Sequence, residues 1–576
     1  MTSRPAVGLP VVELGGGSLS REARRVAAEL AADTVASRIT DADPSFIGRA
    51  SADGLGWPAL PHTSRPLIGQ VDALREAFRV EGAARVLLVG DARWTLGAEV
   101  LAGAGERPDT VPMVDSASSV SAALLQVLDT PDPGVLAHAL AGDLSGTVLV
   151  VTDPAGTTEW VAAVHALLAE AIAAEIGPRR AAARTVVLTE AGSPLDERAR
   201  AAGSVVITTE RDVPAEFCVL GAPGLVPAGL AGAPVGGILE DARAVAEPLT
   251  ADDPQNPALL LAGVLVACGN GAVRVDPGLA PPALAEWAAC LVAAAGGTPV
   301  LLDDPDPDGL PTGPTLAPST ARDPMAAPDD LTELLGPTPR RMPDDPDRDP
   351  EPDGPDEGDE SDGTDEVVAT GGPLGAELLL WQYAVAAAAR LLDGEPFADP
   401  RAPAAAPLSE RSSDGVVAVS AGDWLPGEPS TTEALQALVD AVPAGGHLAV
   451  SGWLDPIEDA SVAVLRGELA RRAELPVVFG WGPRQRALLA PFGGEAPRPG
   501  ALLLLTGDAP DDLVPDPGPV PSSLARTEAG IVAADVAARG VPVLRLHLSD
   551  RVAGLVLLAR AVQGLRPRPD PAGRED

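Results

Sequence analysis

The sequence predicts an α/β protein with two doubly wound parallel sheets, and three observations predict it. Short apolar, largely β-branched runs alternate with amphipathic stretches twice, once before residue 303 and again after residue 370. The two alternations are separated by residues 303–370, where Pro, Asp, Glu and Gly dominate. A chain of 576 residues also exceeds what one hydrophobic core usually organises.

The clearest unit is Val148-Leu149-Val150-Val151, four apolar residues that read as a strand buried on both faces. Trp160, Val161, Val164, Leu167, Leu168, Ala171 and Ile172 follow at helical spacing. Between them lies Thr152-Asp153-Pro154-Ala155-Gly156-Thr157-Thr158, with hydroxyls where helix caps belong. Ligands of open α/β sheets bind beyond the carboxyl ends of the strands, and free amides at a helix start favour an anion. The same turn also reads as a capped connection with no ligand.

In chain order, residues 1–66 form an N-terminal arm with a helix near Arg21–Ser37. Residues 67–245 form the first α/β domain, opening with a helix at Val71–Phe78. Its strands are expected at Val86–Val89, Val111–Val114, Val148–Val151, Thr185–Leu188 and Val205–Ile207. Helical stretches around Leu225–Leu230, Ala258–Ala267 and Pro282–Ala295 close this half, residues 246–302 serving as connecting helices. Residues 303–370 are an acidic linker expected to be disordered, because so few apolar side chains cannot offset the entropy of ordering. It serves as a solvated spacer or as an acidic interaction tail. Residues 371–576 form the second domain: a helix at Glu377–Leu392, then strands at Val416–Val419, His447–Val450, Pro476–Phe479, Leu502–Leu505 and Val543–Leu546.

Composition narrows the function. A formal charge of -41 argues against nucleic acid or an anionic membrane as partner. Three cysteines, Cys218, Cys268 and Cys290, lack metal-ligand spacing and suggest a reducing, cytoplasmic compartment. No basic segment followed by an apolar one opens the chain, and Ala258–Cys268 is too short to span a bilayer. The sequence has five histidines and no lysine, which limits the acid–base chemistry available.

Five segments carry a resemblance: Val86–Leu101; Val148–Trp160; Phe217–Leu230 with Asn256-Pro257-Ala258-Leu259; Leu374–Phe397; and Phe479-Gly480-Trp481-Gly482-Pro483-Arg484. In this order they resemble glucose-6-phosphate isomerases, most closely the bacterial branch joined to transaldolase. The resemblance implies two sugar-isomerase (SIS) domains with the active site between them, a sugar-phosphate substrate, no cofactor or metal, and often a homodimer.

Carried over position by position, the family's site is largely replaced. Its first loop, Gly-Gly-Ser, falls on Ala92, Arg93 and Trp94, and its Ser-Lys-x-x-Thr-Thr phosphate turn on Asp153–Thr158. The resemblance therefore leaves Gly90, Arg93, Gly156, Thr157 and Thr158 as the phosphate-binding set, with Asp153 opposing it. Like charges about 4 Å apart repel by roughly 1–4 kcal/mol. The glutamate base falls on Ala294, with Glu286 more than two turns upstream. The Gly-Gly-Arg-Phe arginine falls on Glu216, the Asn-Pro-Phe-Asp-Gln-Pro run on Glu395–Pro400, and the histidine turn on Ala487–Pro499, which has no histidine. Among carboxylates, Glu216 and Glu377 remain as candidate catalytic groups. His547 is expected to be structural and His165 solvent-facing.

Three functions follow. The first is a family member in sugar-phosphate metabolism (glycolysis or gluconeogenesis) with degraded catalysis, a pseudoenzyme that binds a sugar phosphate or a partner such as a neighbouring sugar-phosphate enzyme. The second is an active isomerase of glucose 6-phosphate and fructose 6-phosphate that uses Glu216, Glu377 or a partner subunit. The third, a flavodoxin-like nucleotide binder, lacks the glycine fingerprint between Gly90 and Leu96.

Overall fold

The computed structural model describes residues 10–47 except 16, 54–103, 125–302 except 270 and 279, 310–320 except 312, 366–397 except 393 and 395, 408–489 except 445, 500–509 and 521–567. The strand expected at Val111–Val114, the positions Glu395 and Ala398–Pro400, and most of Ala487–Pro499 lie outside the described residues.

The α/β class is borne out. The first sheet runs Leu125–Leu128, Arg85–Gly90, Thr147–Thr152, Thr185–Thr189 and Val205–Thr208 in space, every pair parallel. Leu87, Val89, Leu149 and Val151 enter one core, while Val86, Leu88, Val148 and Val150 enter the core on the opposite face. Each such side chain contributes about 2 kcal/mol on leaving water, so a run of four is enough to commit a central strand. The edge strands are Leu125–Leu128 and Val205–Thr208. In chain order the strands lie second, first, third, fourth, fifth. The winding therefore reverses between Arg85–Gly90 and Thr147–Thr152, the point at which such sheets open a crevice.

The second sheet corrects the expectation of uniform parallel pairing. Val543–Leu548, Ala501–Gly507, Leu448–Trp453 and Val477–Trp481 are parallel, but Val417–Ala421 pairs antiparallel with Val543–Leu548. A hairpin adds Ser409–Asp414 outside it. That strand reads SERSSD and is largely exposed, so it has no apolar alternation to betray it.

A third sheet was not expected. It orders Val11–Glu13, Val367–Gly371, Thr315–Ser319, Ala272–Val275 and Thr298–Leu301. Thr315–Ser319 falls inside the stretch 303–370 expected as linker and Val367–Gly371 overlaps its end, which narrows that segment; residues 303–309 and 321–365 lie outside the described residues. Beneath this sheet the helices Ser18–Ala32, Val235–Leu249, Pro257–Cys268, Pro282–Ala294 and Leu374–Leu392 share one core with Trp57, whose ring lies 5.0 Å from both Phe217 and Tyr383. The N-terminal helix packs tightly here: a Cβ at Gly263 would sit 2.2 Å from the Ala23 carbonyl oxygen. Among the described residues no helix is long and apolar enough to cross a membrane.

Candidate functional site

The switch point of the first sheet brings Gly90 and the Asp153–Thr158 turn together, as the winding predicts. Gly90 is required by strand packing, because a Cβ there would meet the Thr152 carbonyl oxygen at 2.7 Å. Gly156 adopts φ +67, and a Cβ there would meet the Leu195 amide nitrogen at 2.8 Å. These two glycines shape the turn.

The turn's own carboxylate takes two of its backbone amides and one hydroxyl. Asp153 Oδ2 accepts the Thr158 amide at 2.9 Å, and Oδ1 accepts the Gly156 amide at 3.1 Å and the Thr158 hydroxyl at 3.2 Å. Thr158 is the N-cap of the helix Glu159–Ile176, so this is an internal anion seated where an external one would bind. Burial pushes the Asp153 carboxyl above its usual range, and the three donors oppose that rise. The Thr157 side chain is exposed.

Arg93 is likewise committed. Its Nε lies 3.1 Å from Asp91 Oδ1 and its Nη1 3.9 Å from Glu216 Oε1, with the two side chains of the latter pair 14% and 3% exposed. Glu216 sits on the short helix Ala215–Leu220, whose position is fixed by Trp287 Nε1 donating to the Glu216 carbonyl at 3.1 Å. Trp94 packs against the helical core, and Ala294 is fully buried.

Glu377 is placed elsewhere. It is fully buried below the third sheet, where its Oε1 accepts from Thr370 Oγ1 and, at 3.0 Å, from Trp381 Nε1. Burial raises its carboxyl to about 7. Gly90 pairs with Thr152 beside the Asp153–Thr158 turn, and Arg93 lies against Glu216, whereas the partners of Glu377 belong to the third sheet and its covering helix.

Two arginines of the second half of the chain reach carboxylates of the first half. Arg484 reaches Asp129 at 2.7 Å, Glu99 at 2.8 Å and Glu286 at 3.2 Å. Burial raises the Glu286 carboxyl; Arg484 opposes this, and Glu99 and Asp129 add to it. Arg551 reaches Asp132 at 2.6 Å and Asp459 at 2.8 Å, and donates to the Gly507 and Asp508 carbonyls. It thereby fills the switch point of the second sheet, between Ala501–Gly507 and Leu448–Trp453. No local signal announces these pairs, since Arg551 and Asp132 are 419 residues apart.

The histidines supply no base beside the turn. His547 Nδ1 lies 3.0 Å from Thr506 Oγ1 and its Nε2 3.3 Å from Asp508, in the second domain. His165 is half-buried rather than solvent-facing, and burial lowers its pKa. Burial also holds His447 at about 4. Cys218, Cys268 and Cys290 are free, and among the described residues no group of three His, Cys, Asp or Glu could hold a metal ion.

No family model matches the chain. Among curated proteins, one described as a probable glucose-6-phosphate isomerase from Natronomonas pharaonis is 30% identical over 292 residues, 49% of this chain and 62% of that protein. Glucose-6-phosphate isomerase of Rubrobacter xylanophilus is 26% identical over 252 residues, 43% of this chain and 54% of that protein. The matched span is thus little more than half the length of these relatives. Among solved structures, a glucose-6-phosphate isomerase from Chlamydia trachomatis is 14% identical with a TM-score of 0.48, over 66% of this chain and 82% of that one. The resemblance to glucose-6-phosphate isomerases read from the sequence is borne out by the curated relatives.

Proposed function

We propose that this relative of the glucose-6-phosphate isomerases is a protein of sugar-phosphate metabolism that has kept the scaffold and lost the isomerase reaction. The observation that carries the reading is Asp153, whose carboxylate takes the amides of Gly156 and Thr158. A sugar phosphate at this turn has to displace a covalently attached competitor and then face Asp91 and Glu216 around Arg93. Aldose–ketose isomerisation also needs a base that moves a proton between C1 and C2. Ala294 stands at the position aligned with the family's base, and Glu216 lies against Arg93. Loss of a positioned base alone typically costs a factor of about 100 to 10,000 in rate. The role left to such a scaffold is association, with a sugar phosphate held elsewhere or with a protein partner.

Conversion of fructose 6-phosphate to glucose 6-phosphate by the purified chain, coupled to a dehydrogenase, tests this. The expected result is turnover indistinguishable from a blank. Ordinary isomerase rates that disappear in Glu216→Gln establish the active-enzyme reading instead.

A further inference from the structure

The second half of the chain contains an open pocket of about 450 Å³, lined by none of the residues of the Asp153 turn. That is within the size range of small-molecule sites. One wall is a face of the helix Pro521–Ala538, which presents Ser523, Arg526, Thr527 and Gly530 at helical spacing. The opposite wall is Arg545, from the strand Val543–Leu548. Gly530 leaves its guanidinium room, since a Cβ there would lie 3.7 Å from Arg545 Nη1. Arg545 Nη2 donates to Ser420 Oγ at 3.3 Å, while its buried Nε has no hydrogen-bond partner.

Arg526 stands beside it, Nη1 3.3 Å from His547 Nε2 and Nη2 3.7 Å from Asp508. Burial and the neighbouring Arg526 lower the pKa of Arg545, with Glu410 opposing. Arg526 and Arg545 line one pocket of a chain whose net charge is -41, with Asp508 beside the first and Glu410 beside the second. Guanidinium pairs suit a dianionic oxyanion, because their planar forks offer parallel N–H donors.

We infer that this cavity binds a small phosphomonoester, its phosphate between Arg526 and Arg545 and its carbon body against Leu408, Ile531 and Ala534. The hydroxyls of Ser523 and Thr527 border the same space. The inference is independent of the fate of the Asp153 turn.

The test is calorimetric titration of the full chain with inorganic phosphate, glycerol 3-phosphate and succinate in low-chloride buffer. Saturable, one-to-one binding of both phosphates, with succinate weaker, is expected. Arg526→Gln and Arg545→Gln are each expected to weaken it at least tenfold, and the surface change Arg79→Gln to leave it unchanged. Should the arginine variants fold poorly, Thr527→Glu places a negative charge in the pocket from an exposed helix position and is expected to abolish binding. Absence of saturable binding, tighter binding of succinate, binding that survives the Arg526, Arg545 and Thr527 substitutions, or loss in Arg79→Gln overturns the assignment.

Discussion

The Asp153 carboxylate accepts the backbone amide of Thr158 at 2.9 Å, so the amide at the helix start that could hold a phosphate already holds an anion. The arrangement is a side-chain-to-backbone closure of the loop that leads into the helix, reaching back five residues from Thr158. Replacing Asp153 by Ala leaves the Gly156 and Thr158 amides without that acceptor and is expected to destabilise the chain by about 1–2 kcal/mol. Urea unfolding of wild type and variant measures the difference.

Glu377 sets a pH dependence. Its carboxyl titrates at about 7 when folded, against 4.5 unperturbed. The folded state therefore binds this proton more tightly than the unfolded state. The contribution is fully present below about pH 4.5 and is lost as pH rises to about 7, a change on the order of 3 kcal/mol. Glu377→Gln keeps an acceptor for Thr370 and Trp381 and removes the titration. The stability difference between variant and wild type, from denaturant unfolding, should shift in the variant's favour between pH 5 and pH 8.

Arg484 faces three carboxylates from three separate elements of the first half of the chain. Arg484→Ala leaves Asp129, Glu99 and Glu286 facing one another. The expected loss is about 2–3 kcal/mol, reduced from a fully buried pair because the arginine is partly exposed. Limited proteolysis should cut the variant faster than wild type, and added salt should narrow the gap.

Gly263 allows the N-terminal helix to touch the helix Pro257–Cys268. A methyl group 2.2 Å from the Ala23 carbonyl forces the helices apart. Gly263→Ala should cost about 1–3 kcal/mol and lower the melting temperature. Scanning calorimetry checks it.

Much of this architecture was legible in the residues, for identifiable reasons. Val86–Val89 and Val148–Val151 are buried on both faces, so continuous apolar runs disclosed them. The third sheet was hidden because its strands are four or five residues at most, with Pro299 and Pro318 inside two of them. Ser409–Asp414 was hidden because an exposed edge needs no apolar side chains. Strand order alone puts Gly90 beside the Asp153 turn, which is why the continuous apolar runs were enough to place these two loops together. The sequence also showed a carboxylate in a phosphate turn. What it could not supply was the aim of that carboxylate, toward Gly156 and Thr158 rather than outward. The pairs of Arg484 and Arg551 were illegible because partners such as Asp129 and Asp132 lie 355 and 419 residues away in the sequence.

The most direct test of the central claim is the affinity of the turn for fructose 6-phosphate with and without its internal anion. Calorimetric titration is done in an Arg526→Gln, Arg545→Gln background, so that the second-domain cavity does not contribute. With Asp153 in place no binding is expected at millimolar sugar phosphate, and Asp153→Ser should create measurable binding that Thr158→Val weakens by removing one hydroxyl donor. Equal, Thr158-dependent binding by the chain that retains Asp153 would contradict the account.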